Sequence, residues 1–197
     1  KRFIDNPEVG VDELIQIIPG PDFPTGGIIT GLEEIRRAYS TGRGRIKLRG
    51  RLGVEPLKGG REAIIITEIP YNVNKPKPPE DIASLVNAKK ITGISDLRDE
   101  SDREGMRIVA ELKRGEVARG IINQLYKMTR METTFGVIFL AVVDNRPEWL
   151  NLKEILEYFV LHRKEIVIRR TRYDLRKAEA RAHILEGLRV ALDNLDE

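Results

Sequence analysis

The sequence has no cysteine, which excludes disulfides, thiol nucleophiles and thiolate metal ligands together. It has two histidines, His162 and His183, and neither stands in the company of other ligating residues that a zinc site needs. Long apolar runs are missing as well: nothing approaches the roughly 20 residues of a membrane helix. The opening Lys1-Arg2-Phe3-Ile4-Asp5 is too short and too quickly polar for a secretory leader. These absences predict a water-soluble, cytoplasmic protein with no membrane partner and no metal of its own. Aromatic residues make up only 6%, while 41% apolar content over 197 residues suffices for one sizeable α/β or α+β core with an appendage.

Net charge is only +3, so a polyanionic partner has to be argued from where the charge sits. The distribution is uneven. Residues 36–51 hold seven cations (Arg36, Arg37, Arg43, Arg45, Lys47, Arg49 and Arg51) and no acid. Residues 96–104 are rich in acids, and residues 163–181 hold eight cations against Glu165, Asp174 and Glu179.

Along the chain, residues 11–18 read as a short helix stopped by Pro19-Gly20-Pro21. After a turn rich in proline and glycine, a strand starts at Ile28-Ile29, and residues 31–40 form an amphipathic helix with Leu32, Ile35 and Tyr39 on its apolar face. Gly42 or Gly44 ends it as a glycine cap. Residues 45–49 alternate strictly, and with Arg51 and Leu52 the period puts cations on one face of a strand and apolar groups on the other. Lys58-Gly59-Gly60 is the hairpin turn, and the returning residues 63–67 are continuously apolar, as for a strand buried on both faces. Further on, residues 80–88 read as helix after Pro78-Pro79, 107–112 as strand, 116–127 as helix, and 135–143 as strand closed by Asp144-Asn145-Arg146-Pro147. From Asn151 on there is no proline and one glycine, Gly187, which predicts one or two long helices. Leu185, Leu188, Leu192 and Leu195 make a packing seam, extended by Ala178 and Ala182, that needs a partner helix. None remains after Glu197, so the chain reads as stopping partway through a larger architecture.

Five blocks carry a family resemblance: residues 19–27 (Pro-Gly-Pro-Asp-Phe-Pro-Thr-Gly-Gly), 39–44 (Tyr-Ser-Thr-Gly-Arg-Gly), 67–75 (Thr-Glu-Ile-Pro-Tyr-Asn-Val-Asn-Lys), 93–102 (Gly-Ile-Ser-Asp-Leu-Arg-Asp-Glu-Ser-Asp) and 181–188 (Arg-Ala-His-Ile-Leu-Glu-Gly-Leu). In that order they resemble the DNA-cleaving subunit of type IIA topoisomerases, closest to the A subunit of DNA gyrase, with the A subunit of topoisomerase IV as the near relative. The resemblance implies an α+β fold. Residues 1–150 would be a mixed-sheet tower domain with flanking helices, and residues 151–197 long helices beginning the coiled coil towards the C-terminal gate. It implies double-stranded DNA, the B subunit of gyrase and a second copy of the full-length chain as partners, near the nucleoid. In the family a tyrosine on an upstream winged-helix domain attacks the DNA, helped by a neighbouring arginine and by magnesium on the ATPase-bearing partner subunit. None of Tyr39, Tyr71, Tyr126, Tyr158 and Tyr173 stands in the family's Arg-Tyr-Thr triplet, so no catalytic residue is assigned. The chain alone is expected to be inactive and to hold neither ATP nor magnesium. Pro76, Pro78 and Pro79 depart from the family pattern and suggest a late helix start, and Lys1-Arg2-Phe3 fits the family poorly.

The candidate DNA-binding residues are Thr25, Thr41, Arg43, Arg45, Lys47, Arg49 and Lys75. A solvated sheet face would alternate in the same way, but such faces mix signs, and no acid is interleaved here. Four like charges on a strand repel one another unless a polyanion lies against them. Thr41 to Gly44 adds backbone N–H groups beside Arg43, and Thr25 and Lys75 are placed near DNA by the resemblance. The carboxylates Asp96, Asp99, Glu100, Asp102 and Glu104 could hold magnesium. The interleaved Arg98, Arg103 and Arg107 instead favour salt bridges, with Ser101 or Asp102 as helix caps. His183 reads as a packed helix residue, and the 163–181 run as a charged helix exterior or a lining for transported DNA. A stand-alone nucleic-acid-binding coiled-coil scaffold is the other function class, and an upstream Arg-Tyr-Thr in the parent gene would exclude it.

Overall fold

The computed structural model describes residues 1–103 and 105–194, so Glu104 of the acidic run and Leu195 of the leucine seam lie outside the described residues. The elements in order are α1 (Arg2–Asp5), α2 (Val11–Ile17), β1 (Ile28–Thr30), α3 (Leu32–Thr41), β2 (Arg43–Arg49), β3 (Arg51–Leu57), β4 (Arg61–Glu68) and α4 (Lys77–Asn87). They continue with β5 (Ile94–Asp99), β6 (Ile108–Leu112), α5 (Ala118–Met128), β7 (Glu132–Ile138), β8 (Leu140–Val143), β9 (Arg146–Trp149) and α6 (Leu152–Asp193). The α+β class is as read, but every ladder among the described residues is antiparallel, so the sheets are not mixed in strand direction.

The first sheet has the order β1-β2-β7, with β2 in the centre. Alternation along β2 sends Ile46 and Leu48 inward, where they meet Ile35, Ala38 and Tyr39 of α3, Leu14 of α2 and Leu152 of α6. The rings of Phe23, Tyr71 and Phe135 close one end of this core at centroid separations of 5.1 to 5.8 Å. α3 lies tight on β2 because Gly44 has no side chain: a Cβ there would come within 2.6 Å of Ala38 Cβ. Leu32, read as part of the apolar face of α3, is the first residue of the helix and is 78% exposed.

The second sheet has the order β3-β4-β6-β5, and α4 and α5 cover one of its faces. Ile64 and Ile66 face that larger core, while Ala63 and Ile65 pack with Val109 on the opposite face, so β4 is buried on both sides. The single alternating strand expected through Leu52 is two strands. The chain leaves the first sheet at Arg49, turns at Gly50 and enters the second sheet at Arg51. Gly50 is where the two cores meet: its missing Cβ would lie 2.6 Å from Glu68 O and in the Met131 methyl, while the Tyr126 hydroxyl donates to Gly50 O at 2.9 Å.

Three further expectations need correction. α4 starts at Lys77 rather than Glu80, with Pro78 and Pro79 in its first turn, where a missing N–H is not needed. Residues 94–99 are a strand, so Ser101 and Asp102 cap no helix; Ser101 instead donates from its backbone N–H to Asp99 at 2.9 Å in a turn. The strand expected over 135–143 breaks at Phe139, and β8 and β9 form a hairpin through Asp144 and Asn145, both at positive φ as a two-residue turn requires.

α6 is one helix of 42 residues, about 60 Å long at 1.5 Å per residue. Its start is fixed by a capping box: Glu154 N–H donates to Asn151 Oδ1 at 2.9 Å, and Asn151 N–H to Glu154 Oε2 at 2.7 Å. Only its first turns touch the body, through Leu152 and Leu156. Leu185, Leu188 and Leu192 are exposed, and so is His183, which packs against no other described element of this chain.

Candidate nucleic-acid interface

The same alternation that buries Ile46 and Leu48 turns Arg43, Arg45, Lys47 and Arg49 to the open face of the first sheet. Six residue steps at about 3.4 Å spread these four over about 20 Å, roughly the length of six base pairs. Because β2 is central, its neighbours decide what surrounds the cations. Register places Gly136, Thr134 and Glu132 of β7 opposite Arg45, Lys47 and Arg49, and Thr30 of β1 opposite Lys47. The result is a shallow open groove, with Arg37 and Glu34 of α3 at its edge.

The four cations are not equivalent. Arg45 and Lys47 are exposed, and neither makes an ion pair among the described residues. Arg43 lays its guanidinium over the Trp149 ring, 3.6 Å from the centroid, a contact worth about 0.5 to 1 kcal/mol at an exposed site. Arg49 is half-buried: its Nε donates to Glu132 at 2.6 Å, and its guanidinium lies 4.8 Å from the centre of the Tyr126 ring. The reading that no acid is interleaved thus holds along β2 but not across the sheet. Opposite Arg45, Gly136 leaves the face flat; a Cβ there would meet nothing within 4 Å. A strand glycine with open space above it leaves room for another molecule to approach the backbone closely.

The remaining candidates lie apart from this strip. Thr41 ends α3, and its hydroxyl is occupied locally, 2.8 Å from Arg37 O and accepting from Arg43 N–H at 3.3 Å. Thr25 is exposed at the tip of a turn whose glycines are clasped from below: Gly27 N–H donates to Glu68, which also receives Arg51 Nε at 3.0 Å. Arg51 therefore belongs to the second sheet and to Glu68. Lys75 reaches Asp99 at the edge strand β5, 3.1 Å away, and not the strip.

The acidic run is neutralised by arginines on the open face of the second sheet. Arg98 bonds Asp96 at 2.9 Å, and Glu100 and Glu111 each at 2.6 Å; Arg107 bonds Glu55 at 2.6 Å and Glu100 at 3.2 Å. Hydrogen bonds from Ser101 and Lys75 hold the Asp99 carboxyl down at about 2, and those from Arg98 and Arg107 lower that of Glu100. Among the described residues no three histidine or carboxylate side chains converge as they would around a metal ion.

Tyr39, Tyr71 and Tyr126 are placed for packing. Tyr39 is buried and Tyr126 half-buried, and burial raises both phenols, the opposite of what a nucleophile needs. Tyr173 does follow an arginine, Arg172, but Asp174 comes next and the residue sits exposed in the middle of α6. Sequence reasoning missed Glu132, Gly136 and Trp149. The first two are set by cross-strand register, which one strand's pattern does not carry. The third was signalled by Asp144-Asn145, a hairpin turn read only as a strand end.

Comparison with known proteins places the chain in a family. The family described as DNA gyrase/topoisomerase IV, A subunit, matches residues 1–197. The DNA gyrase A subunit of Pseudomonas aeruginosa is 58% identical over 98% of this chain, that of Clostridium acetobutylicum is 58% identical over 98%, and that of Helicobacter pylori is 52% identical over 98%. The chain spans only 21% to 23% of the length of these relatives. With a family match over its whole length and relatives above half identity, the chain belongs to the family of DNA gyrase and topoisomerase IV A subunits.

Proposed function

We propose that the chain is the DNA-cradling part of the breakage-reunion subunit of an ATP-dependent type IIA topoisomerase of the gyrase kind. Such an enzyme changes DNA supercoiling by passing one duplex through a transient double-strand break in another. The observation that carries this reading is the open strip of Arg43, Arg45 and Lys47, cations with no carboxylate partner among the described residues on the flat face of a sheet. Each cation laid against a phosphate releases condensed counterions, and three give a binding free energy that depends steeply on salt and not on sequence. Arg49 joins them only when a phosphate displaces Glu132. Thr25, Thr41 and Lys75 lie apart from the strip and add nothing to its salt slope in this reading, Lys75 being held by Asp99.

Residues 1–150 then serve as the tower and 151–197 as the root of the coiled coil towards the C-terminal gate. The B subunit of gyrase would bring ATP and magnesium, a second full-length copy of this chain's parent would complete the A2B2 enzyme, and the assembly would work on the nucleoid in the cytoplasm. The strip contributes position and charge, and bond breaking belongs to residues outside this chain. A fluorescence-anisotropy titration of the chain with a random-sequence duplex tests the reading. Three contacts give a slope of log affinity against log salt near −2.7, and Arg45→Ala with Lys47→Ala makes it shallower by about 1.8. A double variant that binds with the affinity and slope of the parent chain reduces the strip to a solvated face.

A further inference from the structure

Trp149 is the chain's only tryptophan, and it stands exposed beside the strip rather than in a core. Main-chain bonds set its position. Gly42, the residue before Arg43, accepts from Phe139 N–H at 2.8 Å, and Phe139 in turn accepts from Leu150 N–H at 3.0 Å. Arg43 and Trp149 are thus each one residue from a bonded backbone partner. Gly42 is also the one residue type that fits, since a Cβ on it would run into Leu150 O. Within the β8–β9 hairpin Trp149 pairs with Leu140, which fixes the face on which the indole lies.

At 3.6 Å from the ring centre, the Arg43 guanidinium carbon is at stacking distance, and a face-on posture is the one that best keeps its nitrogens clear of the ring. Flat stacking uses the face of the guanidinium and leaves its N–H edges free, and those edges are what bind a phosphate in paired fashion. An unsupported arginine on a strand surface samples many rotamers. This one is held.

Building on the DNA-cradling reading, we propose that Trp149 is a positioning residue for Arg43: the indole holds the guanidinium in a fixed, edge-out posture so that the end of the strip grips a backbone phosphate. Trp149 makes no contact with DNA in this arrangement. The hairpin is a bracket for one arginine, which accounts for an exposed tryptophan at the rim of a basic groove.

The test uses the whole chain, a random duplex, and the variants Trp149→Ala, Trp149→Phe, Arg43→Ala and the Trp149→Ala, Arg43→Ala pair. Trp149→Ala should make the salt slope shallower by as much as about 0.9, the loss of one contact. The paired variant should lose no more than Arg43→Ala alone, and Trp149→Phe should restore the slope. Adding duplex to the parent chain should change the emission of the single indole, and Arg43→Ala should abolish that change. A parental slope in Trp149→Ala, or a Trp149→Ala loss that adds fully to that of Arg43→Ala, overturns the proposal while leaving the strip in place. A flat salt dependence of the parent chain overturns the strip and the bracket together. Thermal unfolding of each variant shows whether the hairpin survives, and the Trp149→Phe result decides the matter if alanine loosens it.

Discussion

Glu132→Gln isolates the carboxylate that pairs with a cation of the basic strip. Glu132 accepts from Arg49 Nε at 2.6 Å, with side-chain exposures of 23% and 41%, so the pair is partly screened by solvent. Its removal costs at most about 1 kcal/mol of stability, the upper range for such pairs. For a domain of this size that lowers the melting temperature by about 2 to 4 °C. DNA binding should move the other way. With Glu132 charged, Arg49 must exchange a carboxylate for a phosphate and releases no net counterion; with glutamine it is a fourth free cation. The slope of log affinity against log salt should therefore steepen by about 0.9, from near −2.7 to near −3.6, and affinity at low salt should rise. Anisotropy titrations from about 50 to 300 mM salt, beside a thermal melt by circular dichroism, measure both effects. A variant that loses stability but keeps the parental slope shows that Arg49 never reaches a phosphate. A parental slope already near −3.6 shows that Glu132 does not hold it.

Gly136→Ala should fold as well as the parent or slightly better, because nothing lies within 4 Å of the added methyl and glycine weakens a strand by about 0.5 to 1 kcal/mol. Gly136→Glu should fold equally well yet weaken duplex binding by placing a carboxylate opposite Arg45; equal affinity in both would show that the face is not used. Gly42→Ala should cost about 2 kcal/mol or more, since its φ of 72° is left-handed and the new methyl would strike Leu150 O. A melting temperature within a degree of the parent would contradict that.

What the sequence carried was whatever is local. The glycine cap at Gly42, the turn at Lys58-Gly59-Gly60 and the doubly buried Ala63, Ile64, Ile65 and Ile66 each rest on a pattern a few residues long. The alternation over residues 45–49 likewise gave the right face of the strand, which starts two residues earlier, at Arg43. It failed at Gly50, where the period runs on while the chain changes sheets, so that Arg51 was joined to cations it does not accompany. Residues 94–99 were not read as a strand because Asp96, Arg98 and Asp99 look like loop composition. Their partners Glu111 and Lys75 come from elsewhere in the chain. The neutralisation of Arg49 by Glu132 spans 83 positions and follows only from the register of β2 on β7.

The two open sheet faces differ in how their charges are balanced. Around β5, Arg98, Arg107, Arg61 and Lys75 are matched by Asp96, Glu100, Glu111, Glu55 and Asp99, whereas among the described residues the four cations of β2 form one ion pair, Arg49 with Glu132. Those four less Glu132 leave +3, which is the net charge of the whole chain, so the rest sums to zero. A balanced face serves the fold, and it should announce itself through pH. Asp99 sits at about 2 against an ordinary 3.8, and the carboxyls of Glu55 and Glu100 are lowered by their arginine partners. A depressed carboxyl stabilises the fold fully above its unfolded value and ceases to do so as pH falls through its folded one. For Asp99 that window runs from about 4 down to about 2. The melting temperature should therefore be level from pH 7 to 5 and fall below pH 4. Asp99→Asn should flatten part of that fall while leaving the salt slope of duplex binding at neutral pH untouched. An acid limb identical in Asp99→Asn and the parent would remove Asp99 from the network that stabilises the second sheet. A changed salt slope would show that Lys75, released from Asp99, reaches the duplex after all.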